Sequence, residues 1–247
     1  MKHNKKVPYT LYNGDCLDIL EELNGSSNPI DTGFNIQNAI FVSDPPFNVG
    51  YHYKTYTDKK NEIEYYEWLA EIFRDNKQVI VHYPESLYKY AFQIGMFPEK
   101  VISWIYNSNT AKQHRDIAFF GVKPDMRQVG QPYKNPKDKR IAKRIADGKT
   151  ARLYDWWEIN QVKNVSKKFD HPCVMPVDVM KRVVGILPYN ATIIDPFLGS
   201  GTTGIAVIEM NKEQDAQRKF IGIEIDTDYY NIAVTRMKEA EKNDNVS

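Results

Sequence analysis

The chain of 247 residues is 42% hydrophobic and 26% charged, a balance that supports one sizeable core and excludes disordered and collagen-like classes. Its formal net charge of +1 hides an uneven distribution, because residues 123–168 hold thirteen Lys or Arg against five Asp or Glu. Two cysteines, Cys16 and Cys173, make neither a disulfide framework nor a metal pair, the five histidines lack ligand spacing, and no apolar run reaches bilayer length. A cytoplasmic protein without a metal site is therefore expected.

Pro8 to Asn13 reads as a short strand, and Gly14-Asp15 turns it into a helix whose Leu17, Leu20 and Leu23 recur at three-residue spacing, with Asp15 placed as an N-cap. Residues 24–38 are rich in Gly, Ser, Asn and Asp and read as a loop. Ala39 to Val42 form a buried strand that stops at Ser43-Asp44-Pro45-Pro46-Phe47, since two prolines remove backbone donors and fix φ. A strand-ending turn accounts for the prolines. It leaves unexplained a carboxylate and an aromatic ring flanking them at a strand end, where α/β folds bind ligands.

Asn48 to Lys60 reads as a mobile loop bearing Tyr51, Tyr53 and Tyr56. Asn61 and Glu64 then have capping-box spacing ahead of a helix with Ile63, Tyr66, Leu69, Ala70 and Phe73 on its apolar face. A strand at Val79 to Val81, a helix at Glu85 to Ile94, and strands at Val101 to Tyr106 and Ile117 to Val122 follow. The basic segment comes next, with Pro124, Pro132 and Pro136, weak periodicity, and one basic helix near Asp138 to Ala146. A solvated charged face is the ordinary reading of such a run. Its charge density, together with Tyr133, Tyr154, Trp156 and Trp157, suits nucleic acid.

Regular packing resumes at Pro176, with Val177, Met180, Val183, Val184 and Leu187 on a helix face. Ala191 to Ile194 then lead into Asp195-Pro196-Phe197-Leu198-Gly199-Ser200-Gly201-Thr202-Thr203, and Ile205, Ile208 and Met210 continue as a helix. Phe220 to Glu224 is a further strand, and Asp226 caps a last helix with Tyr230, Ala233, Val234 and Met237 inward. Alternating strands and helices predict an α/β domain over 1–247 with a doubly wound, mostly parallel sheet, interrupted by an inserted region over 123–168. The glycine loop sits between strand and helix, where positive φ and unpaired N–H groups suit a polar ligand. Gly199 to Gly204 also match the dinucleotide fingerprint, with Glu224 about 20 residues on, so this loop alone leaves an NAD-dependent oxidoreductase open.

Taken together, Asp44-Pro45-Pro46-Phe47, the basic segment, the glycine loop, Asn13-Gly14-Asp15-Cys16, residues 171–176 (H-P-C-V-M-P) and Phe220 to Asp226 resemble, in their order along the chain, the β-arrangement S-adenosylmethionine-dependent DNA amino-methyltransferases. The resemblance implies a Rossmann-like methyltransferase fold with permuted motif order, in which the basic insert is the target-recognition region. It implies transfer of a methyl group from S-adenosyl-L-methionine to the N6 amino group of adenine in double-stranded DNA, with N4 of cytosine as the alternative. A homodimer and a cognate restriction endonuclease would be the further partners.

Carried over residue by residue, the resemblance places Asp195, Phe197, Gly199, Ser200, Gly201 and Thr202 at the methionine end of the cofactor. Glu224 would accept both ribose hydroxyls, Asp15 the adenine amino group of the cofactor, and Cys16 would lie beside it. Asp44 and the Pro45 carbonyl, followed by Pro46, would draw the target amino hydrogens out of the ring plane, and Phe47 would stack on a flipped base. Phe47 stands where Tyr is usual and Met175 where Lys often precedes the proline. Neither Met175 nor His171 is given a role. The NAD-dependent alternative leaves Asp44 to Phe47 unexplained and places its fingerprint late in the chain, and a non-catalytic DNA-binding protein would not need intact carboxylates at Asp15, Asp44 and Glu224.

Overall fold

A computed structural model describes residues 7–25, 36–50, 58–73, 76–162 and 174–242. In chain order these form β1 (Tyr9–Asn13), α1 (Cys16–Gly25), a 3-10 turn (Ile36–Asn38), β2 (Ile40–Ser43), α2 (Glu62–Phe73), β3 (Lys77–His82), α3 (Pro84–Ile94), β4 (Lys100–Ile105) and β5 (His114–Phe120). There follow β6 (Gly130–Gln131), α4 (Lys139–Ala146), β7 (Ala151–Arg152), β8 (Trp156–Glu158), α5 (Val177–Gly185), β9 (Thr192–Asp195), α6 (Thr202–Gln214), β10 (Lys219–Glu224) and α7 (Thr227–Lys242).

Eight strands make one sheet in the order β1-β10-β9-β2-β3-β5-β4-β8, parallel except that β5 runs against both β3 and β4. The sheet is buried on both faces, and the period-two alternation of its strands divides the core. Ile40, Val42 and Ile193 face Val183, Val207 and Met237 of α5, α6 and α7, whereas Phe41, Ile194 and Ile223 face Leu20, Leu69 and Tyr90 of α1, α2 and α3. The doubly wound, mostly parallel sheet expected from the sequence is therefore present. From β9 the chain crosses to β10 on one side, and from β2 to β3 on the other, so the adjoining carboxyl ends of β2 and β9 form a topological switch point. Among the described residues no helix is long and apolar enough to cross a membrane.

Several helix faces differ from the sequence reading. Asn61 Oδ1 accepts from Ile63 N at 3.0 Å and starts α2 in a phase that turns Ile63 outward, so Tyr65, Tyr66, Leu69, Ile72 and Phe73 form its buried face. In α7 it is Tyr229, beside Ala233 and Met237, that turns inward, while Tyr230 is half-buried with its hydroxyl 3.4 Å from Leu11 O. The basic segment is less separate than its composition suggests. Leu153 and Trp157 enter the main core, and β8 adds itself in parallel to the edge of β4.

Candidate active site

Four strand ends are knitted together at the carboxyl edge of the sheet. Ser43 Oγ, the last residue of β2, donates to Asp195 Oδ1 at 3.0 Å. The same oxygen accepts from Phe197 N at 3.1 Å, and Asp195 Oδ2 accepts from Thr203 Oγ1 at 2.6 Å. Asp195 thus ties the glycine loop both to the first turn of α6 and to the neighbouring strand. Burial pushes its carboxyl up to about 6, against the opposing pull of these three donors. Glu224 closes β10 in a similar way, with Oε2 accepting from Gly199 N at 2.7 Å and Oε1 from Asp226 N at 2.9 Å, and burial raises its pKa. Its carbonyl accepts from Gly14 N and Asn13 Nδ2, which fastens the end of β1 to it.

Within this frame Asp15 Oδ1 accepts from Leu17 N at 2.8 Å and caps α1. Gly199 and Gly201 adopt φ of 52° and 81°, and a Cβ on Gly201 would lie 3.1 Å from the Ala233 backbone. Gly201 therefore serves the turn and the approach of α7 to α6. Arg236, on α7, donates from Nη1 to Ser200 O at 2.5 Å and to Ser200 Oγ at 2.7 Å, a brace that no motif in the sequence announces.

Between these ends lies a cavity of about 330 Å³. Its wall includes Asp15 and Cys16 after β1, Asp44 to Phe47 after β2, Asp195, Phe197, Gly199, Ser200 and Thr202 at the end of β9 and beyond it, and Glu224 at the end of β10. Every candidate site residue named from the sequence lines it except Gly201, which lies behind the loop. Sequence reasoning missed Lys60, Trp68 and Tyr229, and it left Met175 without a role. Trp68 packs on Phe197 with ring centroids 5.3 Å apart, and Lys60 Nζ stands 5.3 Å over the Trp68 ring. Asn48 holds that lysine's backbone in place, accepting from Lys60 N at 2.7 Å and donating to Lys60 O at 3.1 Å. Tyr51, Tyr53, Tyr56, His171 and Cys173 lie outside the described residues, as do Lys163, Lys167 and Lys168.

Asp44 Oδ1 is buried and has no hydrogen-bond partner among the described residues, while Oδ2 faces Arg115 Nη1 at 3.6 Å. Burial, the larger influence, pushes this carboxyl up to about 6, with Arg115 pulling it down and Asp195 pushing it up. The next residues are held by a relay. Tyr83 N donates to His82 Nδ1 at 2.8 Å, so His82 Nε2 carries the proton and donates to the Tyr65 hydroxyl at 2.9 Å, which in turn donates to Pro46 O at 2.6 Å. Burial, helped by Arg115 and Lys112, drives the His82 pKa down to about 3, and the imidazole stays neutral. Phe47 packs against His82 and Tyr83 at centroid distances of 4.5 and 5.1 Å.

The basic segment contributes an exposed surface. Asp138 Oδ1 caps α4, accepting from Arg140 N and Ile141 N, and no side chain of that helix is buried. Lys134 Nζ sits between Tyr154 and Trp156 at 4.7 and 4.8 Å from their rings, and Arg144 Nε donates to Tyr133 Oη at 2.8 Å.

Comparison with known proteins bears on this arrangement. The model of a family described as DNA methylase matches residues 39–235. Type II methyltransferase M.BglII of Bacillus subtilis is 25% identical over 95% of this chain and 71% of its own length. DNA adenine methyltransferase YhdJ of Escherichia coli is 25% identical over 94% of this chain and 83% of its own. Among solved structures, an M1.HpyAVI–SAM complex covers 93% of this chain and 99% of its own at 19% identity with a TM-score of 0.57. A DNA modification methylase of Thermus thermophilus, TTHA0409, complexed with S-adenosyl-L-methionine and described as putative, covers 94% of each chain at 15% identity with a TM-score of 0.58. The fold is shared with these structures, and the family match spans Asp44, Asp195 and Glu224, so the chain belongs to the DNA methylase family.

Proposed function

We propose that this chain transfers a methyl group from S-adenosyl-L-methionine to the N6 amino group of an adenine flipped out of double-stranded DNA. The observation that carries the assignment of roles is the unpartnered Oδ1 of Asp44 on the wall of the cavity described above. An exocyclic amino group is a poor nucleophile because its lone pair is delocalised into the ring. Asp44 Oδ1 and the Pro45 carbonyl accept its two hydrogens and turn that lone pair out of the ring plane, with Tyr65 and His82 holding Pro46 still behind them. Phe47 offers a ring face to the base.

The wall fits the cofactor's charges. Asp15, Asp44, Asp195, Glu224 and Asp226 line the cavity, and Lys60 is the one basic side chain described there. A ligand with a sulfonium, an ammonium and one carboxylate suits this set, with Lys60 matched to the carboxylate in place of a lysine at Met175. The pyrophosphate of NAD meets repulsion from the same carboxylates, and Gly199 N already donates to Glu224. Glu224 keeps one lone pair on each oxygen for the ribose hydroxyls, and Asp15 keeps Oδ2 for the adenine amino group. When bound, the cofactor supplies an already activated methyl group, so no metal is required.

The basic segment over 123–168 is the proposed DNA-reading region, and the cytoplasmic address is proposed with the DNA substrate. A cognate restriction endonuclease and a second copy of the chain are proposals carried by the resemblance; a single monomer-mass species in sedimentation removes the second. The functional test incubates protein, S-adenosyl-L-methionine and mixed-sequence DNA, then identifies modified nucleosides by mass spectrometry and their positions by long-read sequencing. N6-methyladenine at a fixed sequence is expected, and mainly N4-methylcytosine overturns the choice of base.

A further inference from the structure

Because β5 is reversed, its first residues lie at the carboxyl edge of the sheet, beside the ends of the parallel strands. Asp116 pairs with His82 and Arg115 with Trp104, which brings Arg115 next to the loop that follows β2. Arg115 is only 5% exposed. Its Nη1 is 3.6 Å from Asp44 Oδ2, and its guanidinium carbon stands 4.4 Å from the Phe47 ring centroid. The rings of Trp104, Tyr83 and Tyr106 surround it at 5.4, 5.8 and 5.9 Å. Packing alone does not call for such a residue, since an apolar side chain fills a buried site without the desolvation of a charge. The aromatic faces and the carboxylate offset that desolvation, and both contacts fall on the two residues assigned to the target base.

We propose that Arg115 is a positioning residue for methyl transfer: it grips Asp44 through Oδ2 and packs on the Phe47 ring, so that Asp44 Oδ1 and Phe47 are held in one arrangement toward the same base. This rests on the roles given above to Asp44 and Phe47. A guanidinium suits the task because it is planar and permanently charged, stacking on a ring while its edge meets a carboxylate. Among the described residues the charged groups facing Asp44 are Arg115 from β5 and Asp195 from β9, while Lys112 stands 3.8 Å over Tyr83 and the neutral His82 of β3 packs on Phe47.

The test compares full-length wild type with Arg115→Gln, Arg115→Lys and Asp44→Ala. Cofactor affinity is read by calorimetry, and single-turnover methylation of duplex DNA is followed against pH. Arg115→Gln is expected to bind S-adenosyl-L-methionine within about twofold of wild type and to lose about a hundredfold in rate. Its acid limb moves up by about one pH unit, because the opposite charge beside Asp44 is gone. Arg115→Lys keeps the charge and loses the plane, so its acid limb stays near that of wild type while its rate remains reduced. A wild-type rate and an unmoved limb in Arg115→Gln, with Asp44→Ala inactive, overturn the proposal and leave the catalytic reading standing. Activity in Asp44→Ala overturns that reading and this proposal with it. If Arg115→Gln loses cofactor binding through misfolding, Arg115→Lys decides alone, and a wild-type rate there overturns the proposal.

Discussion

Asp44 and Asp195 share an electrostatic position with opposite consequences for stability and for turnover. Each carboxyl is raised from 3.8 to about 6, chiefly by burial. The folded state therefore holds protons that the unfolded chain has released between those values, and stability from these two groups is full below pH 4 and lost as pH rises through 6. In the role proposed for it Asp44 accepts only when ionised, so turnover is expected to rise over the interval in which stability falls. Two outcomes are expected: kcat/KM has an acid limb near 6, and thermal melts show Asp44→Asn more stable relative to wild type at pH 7.5 than at pH 5. Removing the carboxylate, as in Asp44→Ala, should cost about 3 kcal/mol or more in the barrier while calorimetric cofactor affinity holds. Glu224→Ala should reverse that pattern, weakening cofactor affinity before rate, because its two oxygens organise the glycine loop and face the cavity.

At the scale of elements, what the sequence revealed follows from where apolar runs begin and end. β2 and β9 are short apolar runs cut off by proline, and their ends fall where the composition changes, so Asp44 and Asp195 were legible. β5 was read from Ile117 because its apolar run starts there, whereas the strand begins at His114 and carries a buried arginine in its second position. Arg115 was therefore invisible: neither its direction in the sheet nor its ring of aromatic neighbours is encoded locally. His82 was missed in the same way, one residue beyond Val79 to Val81, and Lys60 and Arg236 reach the site from loop and helix positions without a motif. Gly201 was legible as part of the loop, but its task is packing. Gly201→Ala combines φ of 81° with a Cβ 3.1 Å from the Ala233 backbone, and it should cost roughly 1–3 kcal/mol in denaturant unfolding. In α4, Asp138→Ala removes the cap, and its loss should be read as faster amide exchange confined to that helix.

Across the whole molecule the charge is divided, with acidic side chains around the cavity and a basic, aromatic-bearing surface built from residues 123–162. That surface is anchored and not tethered, because Trp157 is buried in the core, β8 extends the sheet, and Gln214 of α6 donates to Gln128 O at 3.0 Å. DNA affinity should fall with salt at a log-log slope of about −0.9 per phosphate neutralised. Lys139→Glu with Arg140→Glu should flatten the slope without touching cofactor affinity; unchanged DNA affinity would place the binding face elsewhere.

The hydrogen bond from Ser43 to Asp195 joins the strand end that presents Asp44 to the one that opens the glycine loop. Two ligands that each bear on one end of such a strut are expected to be coupled through it, and thermodynamic linkage makes any such influence mutual: whatever factor the cofactor applies to DNA affinity, DNA applies to cofactor affinity. Ser43→Ala cuts the strut while leaving every group assigned to either ligand in place. Titrating each ligand in the presence and absence of the other should show the two factors equal in wild type and both moving toward one in that variant.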